Sequence, residues 1–311
     1  MIWPRNIVAA VILCLGQAAG AQVTNSSMST ADAFLCTGSP SNPELNGADL
    51  SGLNFGAAGT LVVAPASSPK GEFQSVVKFN LSNGVAMFNS AYGSNNWFVS
   101  GISLQLTSNY GTSGMQPNNG IFPVISGGNF VIEWLSDDDW VEGTGTPNLP
   151  TTDGVDYDSL PELLTGPQEI LCTNTYTPPG NNVPVIYTLP LATNLVADIL
   201  GGGDVTLLFF AADNQIDYLF NSYNYGRGNQ PLLNVVATPF LKILSGAFTN
   251  SLFRLIGLSS NNSICQIQAS TNLSTTNWQT IGTVTAGTNG AIQFYDSGVT
   301  NQPQRYYRFC Q

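Results

Sequence analysis

The sequence predicts an all-β protein: a large jelly-roll-like β-sandwich followed by a small immunoglobulin- or fibronectin III-like β-sandwich. Short segments with alternating apolar residues recur along the chain, and Gly, Pro and Asn turns separate them. Almost no stretch has the period of a helix. Only 9% of the residues are charged, which disfavours long surface helices because these need Glu and Lys on their solvent face.

Residues 1–21 have the form of a signal peptide. Arg5 precedes the apolar run 7–15, and Ala19-Gly20-Ala21 has the A-x-A pattern that a signal peptidase accepts. The run is too short to anchor the chain, and no later stretch reaches the roughly 20 apolar residues of a membrane helix. We therefore expect a secreted or cell-surface protein that does not insert into a membrane, with a mature chain from about Gln22.

The large sandwich is expected over residues 30–238. Alternating or β-branched runs predict strands at 31–36, 60–64, 73–81, 97–108, 130–135, 183–189, 205–211 and 232–238. Short helices are expected at 160–164 and 191–200, and residues 85–91 fit either a short helix or a turn.

The small sandwich is expected over residues 252–311, after a linker at 239–251. Five alternating segments follow one another closely there, at 252–256, 264–270, 278–282, 291–295 and 305–309. Trp278 is expected in the core of this sandwich, as Trp97 and Trp134 are in the core of the large one.

Four cysteines follow the leader: Cys36, Cys172, Cys265 and Cys310. An even number in an oxidising compartment is typical of disulfides. Three pairings are possible, and the sequence does not choose among them. We favour Cys36 with Cys172 and Cys265 with Cys310, because each pair then closes within one sandwich. Four buried free thiols are the alternative.

Composition argues against several function classes. The net charge of −11 repels phosphate backbones, so nucleic acid is not an expected partner. The chain has no histidine, which removes Ser-His-Asp and Cys-His catalysis and imidazole zinc sites. Glu142 with Glu133 or Asp139 could form a glycosidase pair, but a hydrated Gly-rich loop offers little burial to raise an acid's pKa. We therefore expect a protein that is not an enzyme.

Carboxylates concentrate in the loop after the strand at 130–135. Ca²⁺ takes roughly six to eight oxygens, which several Asp together with backbone and Asn carbonyls supply. The run Asp153-Gly154-Val155-Asp156-Tyr157-Asp158 is dense in acids but lacks the order of an EF-hand. Ca²⁺ is thus a possible cofactor, and solvated turn acids are the alternative. The candidate ligands are Asp139, Glu142, Asp153, Asp156 and Asp158.

Sugar binding uses aromatic rings, since a ring face matches the apolar side of a pyranose, with amides and carboxylates nearby. The candidates in or beside polar loops are Tyr92, Trp140, Tyr223, Tyr225 and Arg227. For Tyr223 and Tyr225, a binding role and a structural role are equally compatible with the polar loop around them.

Several stretches resemble a DNRLRE-type domain, a β-sandwich module of exported bacterial proteins related to carbohydrate-binding jelly rolls. They are Ala31-Asp32-Ala33-Phe34, Asn54-Phe55-Gly56, and the segments 75–81, 140–145 and 231–235. The resemblance covers about residues 30–238 and brings no catalytic residues. The S-x-E element usual in that family is replaced here by the different segment 221–227.

The second unit is similar to the C-terminal sandwich of large exported proteins of planctomycete and verrucomicrobial type. The residues that carry this likeness are 269–273, Trp278 and Tyr306-Tyr307-Arg308-Phe309.

Two functions follow as hypotheses. The first is an exported, non-catalytic carbohydrate-binding or adhesion module, whose partner is an extracellular polysaccharide or a cell-surface component. The second is a structural or surface-layer assembly component without a small-ligand site. Export, the sandwich folds and the loop aromatics favour the first, and the uncharged Gly/Asn-rich surface favours the second.

Overall fold

The computed structural model describes residues 8–11, 22–39, 49–110, 120–226, 228–249, 252–259, 262–272, 277–288, 290–299 and 304–310. The protein is all-β, as predicted. Its strands are β1 Val8–Val11, β2 Val23–Cys36, β3 Thr60–Val63, β4 Phe73–Asn80, β5 Trp97–Thr107, β6 Gly128–Leu135, β7 Gln168–Tyr176, β8 Pro184–Leu189, β9 Asp204–Ala211, β10 Tyr218–Asn221, β11 Leu232–Pro239, β12 Lys242–Thr249, β13 Leu252–Leu258, β14 Ile264–Ser270, β15 Gln279–Thr285, β16 Ala291–Asp296 and β17 Gln304–Cys310.

The helices are few and short, as predicted. They are α1 Ser82–Tyr92, α2 Leu160–Leu163 and α3 Thr193–Gly201, with a 3-10 helix at Tyr223–Tyr225. The segment 85–91, for which a helix and a turn were both open, lies inside α1. Within the described ranges, none of the helices is both long and apolar enough to cross a membrane.

By its internal contacts the chain divides into two units. The larger unit comprises Asn25–Val85 and Gly101–Val235. The smaller unit comprises Met1–Thr24, Ala86–Ser100 and Val236–Gln311. The expected bounds 30–238 place residues 86–100 and 236–238 in the first sandwich, whereas these contacts group both segments with the smaller unit.

An eight-stranded sheet forms the body of the larger unit, in the order β7-β6-β9-β4-β2-β11-β5-β8. β7 and β8 follow each other in sequence, lie at opposite ends of this order and are in contact, so the sheet curls back on itself. A two-stranded sheet pairs β10 with β3. β9 is central and buried along Val205–Phe209, as its apolar run predicts. Trp134 is buried in this unit, which confirms its expected place in the core, whereas Trp97 is buried but lies in the segment 86–100 of the smaller unit.

The smaller unit contains two further sheets, β12-β13-β16 and β1-β17-β14-β15. β12 corrects the expected linker at 239–251, because it pairs with β13 from Lys242↔Leu258 to Thr249↔Leu252. The side chains of β12 from Leu244 onward are exposed on both faces. The strand therefore has no buried face that would require apolar residues at every second position, and its sequence does not indicate a strand. β1 lies within the expected leader and pairs in parallel with β17.

The core of the smaller unit is built around Tyr307. Its ring stacks on Phe253 with centroids 5.0 Å apart, and its hydroxyl donates to Asp296 Oδ2 at 2.8 Å. Trp278 is not in this core, contrary to expectation. It is half-buried, and the guanidinium of Arg308 lies 4.5 Å from its ring centroid.

The favoured disulfides are wrong, because the four described cysteines are thiols. Three strands separate Cys36 on β2 from Cys172 on β7, which puts them roughly 19 Å apart along the sheet, whereas a disulfide needs Cα atoms within about 7 Å. Cys310 lies opposite Gln266, the neighbour of Cys265 in β14. Adjacent residues of a strand point to opposite faces, so Cys265 and Cys310 cannot meet.

Candidate functional site

Tyr223 is the most exposed of the described aromatic candidates for sugar binding, with 46% of the residue exposed. It begins the 3-10 helix that follows β10. Ser222 caps this helix, since its hydroxyl accepts a hydrogen bond from Asn224 N at 3.1 Å and donates to the carbonyl of Ala58. Gly226 ends the helix at φ 71°, a left-handed conformation that favours glycine. Both ends of the helix are therefore fixed.

A buried aspartate holds the same helix from inside the sandwich. Asp32, on β2, has no exposed surface, and its Oδ2 accepts a 2.6 Å hydrogen bond from Tyr223 N. Its Oδ1 has no hydrogen-bond partner among the residues described. Burial raises the pKa of Asp32 well above its ordinary value, and the nearby Glu142 carboxylate adds to this effect. The protonated form is thus favoured more than in an exposed aspartate.

Glu142 connects the 3-10 helix to the carboxylate-rich segment 137–158 after β6, which we call the acidic loop. Its Oε1 accepts hydrogen bonds from Asp32 N and from Asn224 Nδ2, both at 3.0 Å. Asn224 Nδ2 also donates to Gly56 O at 3.0 Å. Burial is the main cause that raises the pKa of Glu142. One predicted metal ligand therefore lies beside the Tyr223–Tyr225 helix rather than with the other acids.

Asn54 fixes the acidic loop to the sandwich and is itself fully buried. Its Nδ2 donates to the carbonyls of Glu142 and Val155, both at 2.7 Å. Its Oδ1 accepts from Gly56 N at 3.0 Å and Gly145 N at 3.1 Å. The Asn54 amide therefore uses both hydrogens of its Nδ2 atom and accepts two hydrogen bonds at its Oδ1 atom. Glycine is required at position 56, since a Cβ there would lie 1.9 Å from the Glu142 carbonyl oxygen.

Trp140 is a core residue, which corrects its prediction as an open ring platform. Its Nε1 donates to Thr206 Oγ1 at 3.0 Å, and Lys78 Nζ lies 4.5 Å from its ring centroid. Lys78 Nζ also donates to the carbonyls of Asp138 at 2.6 Å and Trp140 at 2.9 Å. The same correction applies to Tyr92, which is buried and donates its hydroxyl to Ala237 O.

The remaining ring candidate is Tyr225. It is half-buried, and its hydroxyl donates to Asn182 Oδ1 at 3.2 Å. Arg227, the predicted cation of this site, lies outside the described residues.

Two of the acids predicted to bind calcium, Asp153 and Asp156, have separate structural roles. Asp153 accepts from Thr144 N at 2.9 Å, from Thr144 Oγ1 at 2.7 Å and from Thr151 Oγ1 at 2.6 Å. These bonds lower the pKa of Asp153 to about 2. Asp156 Oδ1 accepts from Ser159 N at 2.8 Å. Both residues thus close turns of the loop.

An open cleft of about 400 Å³ brings two of the five predicted ligands together. Its lining carries Asp139 and Asp153 with the further acids Asp137 and Glu162, and Trp140 and Leu163 contribute apolar surface. Asp156, Asp158 and Glu142 are not part of this lining. Within the described ranges no three His, Cys, Asp or Glu side chains converge as a metal-binding group. Calcium binding by this loop therefore stays a prediction.

The sequence does not indicate the roles of two residues of the site, Asp32 and Asn54. Asp32 is a single aspartate between two alanines in β2, and nothing in the sequence shows that it is buried under an exposed helix. Asn54 appears only as part of a family-like segment, and its four hydrogen bonds depend on loops that are distant in sequence.

Comparison with known proteins assigns no family. No family model matches the chain, and no curated protein matches it. Among solved structures the chain is similar to two of beta-glucuronidase from Ruminococcus gnavus, each with 8% identity and a TM-score of 0.21. The matches cover 96% and 93% of this chain but 44% of each enzyme, so the chain spans less than half of their length. Likeness at this level carries no argument about fold or activity.

Proposed function

We propose that the protein is an exported, non-catalytic carbohydrate-binding or adhesion module that binds an extracellular polysaccharide at the Tyr223–Tyr225 helix. The observation that carries this proposal is an exposed ring on a fixed backbone. Tyr223 is 46% exposed, yet its amide is held by buried Asp32 and its helix is capped by Ser222. A ring that is already positioned loses little conformational entropy when a sugar stacks on it.

Polar groups beside the ring supply the second requirement of a sugar site. The Asn224 amide is exposed at the surface of the helix, and Glu142 and Asn182 contact Asn224 and Tyr225 respectively. Because Asn224 Nδ2 donates to both Gly56 O and Glu142 Oε1, the part of this amide that suits a glycan hydroxyl is its Oδ1 atom, which accepts a hydrogen bond.

The environment of the Asp32 and Glu142 carboxyl groups supports a non-catalytic role. A glycosidase needs two carboxyl groups that face one cleft and reach the substrate. Asp32 has no exposed surface, and the Oε1 atom of Glu142 is engaged by two protein donors. In this arrangement Asp32 holds the backbone of the helix at Tyr223, and Glu142 holds the Asn224 side chain and the backbone of β2 at Asp32.

A glycan array with the mature chain from Gln22 tests the proposal. Tyr223→Ala should weaken binding at least about tenfold, equivalent to about 1.4 kcal/mol, and Tyr225→Ala should weaken it less because that ring is half-buried. Tyr295→Ala is the matched control, since Tyr295 on β16 is 44% exposed but lies in the smaller unit. Circular dichroism establishes that each variant is folded. The proposal would be contradicted if Tyr223→Ala bound glycan as tightly as wild type, or if the folded wild-type chain bound no glycan.

One observation favours assembly as a second candidate function. β12 lies at the edge of its three-stranded sheet, exposes Leu244 and Phe248, and has no charge over 243–249. An uncharged, apolar edge strand is a template for pairing with another strand, which proteins usually block with charged residues. A second copy of the chain could pair there without like-charge repulsion.

Light scattering over a concentration series tests this second candidate. Self-association that Leu244→Lys abolishes would support it. Ile264→Lys is the control, because Ile264 is 68% exposed but lies on β14, which has neighbours on both sides. A wild-type chain that stays monomeric at all concentrations would contradict assembly through β12.

A further inference from the structure

The C-terminal part of the chain, residues 236–311, is opposite in charge to the whole protein. Four cations against one acid give this segment a net charge of +3, whereas the chain carries −11. The acid is Asp296, and the cations are Lys242, Arg254, Arg305 and Arg308. Asp296 is already paired, because its Oδ2 lies 3.2 Å from Arg305 Nε. The other three cations of the segment therefore have no further acid of the same segment to neutralise them.

One of these cations, Arg308 on β17, is held in place by two neighbouring side chains. Its guanidinium lies 4.5 Å from the ring centroid of Trp278, and its Nε donates to Gln268 Oε1 at 2.7 Å. Gln268 lies directly opposite Arg308 on β14, and its Nε2 donates to Thr280 Oγ1 at 3.4 Å. A ring contact together with a hydrogen bond at Nε orients the guanidinium, so a ligand that binds it causes little further loss of side-chain entropy.

The rest of the guanidinium is unused. Within the described residues, Arg308 forms no ion pair, and its only hydrogen bond is the one from Nε. Its two terminal nitrogens thus present a planar pair of donors on a partly exposed side chain. Such a pair matches the two oxygens of a carboxylate, which arginine binds bidentately. The permanent positive charge requires an anionic ligand.

We propose that Arg308, Trp278 and Gln268, which we call the guanidinium site, bind a carboxylate group of an acidic polysaccharide. Tyr306 lies two residues before Arg308 in β17, so both side chains are on the same face of the sheet, and Tyr306 is only half-buried. Trp278 and Tyr306 thus place aromatic surface near the cation. Aromatic surface suits the apolar side of a sugar ring, and a uronate carries its carboxylate on such a ring.

The guanidinium site goes beyond the glycan site proposed above. All its residues belong to the smaller unit, whereas the Tyr223–Tyr225 helix belongs to the larger one. The two sites also differ in ligand chemistry, because the guanidinium site requires a negative charge on the sugar. Non-specific attraction does not account for such binding, since a chain with a net charge of −11 repels a polyanion.

Isothermal titration calorimetry with the mature chain from Gln22 tests the site. The probes are polygalacturonate, which carries carboxylates, dextran, which is neutral, and dextran sulfate, which carries sulfate esters. We expect wild type to bind polygalacturonate more tightly than either of the other two. Arg308→Gln should weaken this binding at least about tenfold, because a charge-assisted pair of hydrogen bonds is lost. Arg308→Lys should also weaken it, since lysine keeps the charge but not the planar pair of donors.

The matched control is Arg254→Gln, which removes the same charge from a half-buried position on β13 in the same unit. It should change Kd by less than about twofold, because only a screened long-range charge is lost. Tyr223→Ala should likewise leave the binding of polygalacturonate unchanged. Circular dichroism establishes that each variant is folded, and Arg308→Lys takes the place of Arg308→Gln if the latter does not fold.

Four results would overturn the proposal. The first is a wild-type chain that binds polygalacturonate no better than dextran, and the second is tighter binding of dextran sulfate, which would assign the site to sulfate. The third is an equal loss in Arg308→Gln and Arg254→Gln, because net charge alone would then explain the binding. The fourth is a loss in Tyr223→Ala with none in Arg308→Gln, which would place the acidic sugar at the Tyr223–Tyr225 helix and leave that proposal intact.

Discussion

The backbone amide of Tyr223 donates a 2.6 Å hydrogen bond to the carboxyl group of Asp32, which lies 191 positions earlier in the chain. Asp32 in turn donates its own amide to Glu142 at 3.0 Å. The most exposed candidate ring is therefore held by the fully buried carboxyl group of Asp32, and the backbone amide of the same residue is bonded to the acidic loop. A substitution that displaces β2, the acidic loop or the Tyr223–Tyr225 helix should therefore also shift the other two segments.

Replacement of Asn54 should loosen the acidic loop. Asn54→Ala removes four hydrogen bonds and takes these donors from the carbonyls of Glu142 and Val155, of which the latter is buried, so we expect the free energy of unfolding to fall by about 3 kcal/mol or more. Urea denaturation measures this change. The control is Asn194→Ala at an exposed position of α3, which should stay within about 0.5 kcal/mol of wild type. Equal stabilities of the two variants would rule out the role assigned to Asn54.

Two glycine substitutions should have opposite effects. In Gly56→Ala the new methyl group would lie 1.9 Å from the Glu142 carbonyl oxygen, so the backbone must shift, and we expect a loss of about 2 kcal/mol or more. In Gly201→Ala the methyl group meets nothing within 4 Å at the last residue of α3. Alanine is the better helix former there, and we expect a gain of about 0.5–1 kcal/mol. Thermal unfolding distinguishes the two signs, and a stable Gly56→Ala variant would contradict the tight contact.

The stability of the larger unit should depend on pH through Asp217. Burial raises the pKa of Asp217 from 3.8 to about 7, although a hydrogen bond from Ser68 opposes the shift. The folded state binds this proton more tightly than the unfolded chain, so stability is lost as pH rises from about 4 to about 7. Asp217→Asn has no proton to lose. The Tm difference between variant and wild type should therefore increase across this range and level off above it, and a difference that stays constant with pH would count against the shift.

The cysteines should react as thiols without prior reduction. Cys172 and Cys310 are half-buried, whereas Cys36 is buried and burial raises its pKa to about 12. We expect an alkylating reagent to modify Cys172 and Cys310 before Cys36 in the folded protein. Mass spectrometry of peptides from a labelling time course gives the order. Labelling that requires a reductant would show that disulfides form after all.

The strands that the sequence predicts are those with a strong apolar pattern. β4 alternates between core and partly exposed positions, and β9 is buried on both faces, so both have a local signal of the right length. The sequences of β7, β10 and β12 have no such local apolar pattern. β7 and β12 lie at sheet edges and expose many side chains, and β10 is only four residues long. An edge strand is defined by the neighbour it pairs with, and its own side chains reveal little of this pairing.

The residues of the candidate site also divide into those that the sequence predicts and those that it does not. The polar loop around Tyr223 and Tyr225 is visible in the sequence, and both rings lie at the surface or half-buried. Trp140 and Tyr92 also lie in or near loops, yet the sandwich buries them. Local composition does not distinguish these cases, because the burial of a loop side chain depends on which other segments pack over it.

By itself the sequence determines the all-β class, the short helices and the absence of histidine chemistry, since these depend on composition and on periods of a few residues. Only the tertiary structure decides that Tyr223 meets Asp32, that Cys172 does not meet Cys36, and that Asp153 and Asp156 close separate turns of the loop. These outcomes depend on the order of strands in the sheet. That order joins segments more than a hundred residues apart, which no local pattern in the chain encodes.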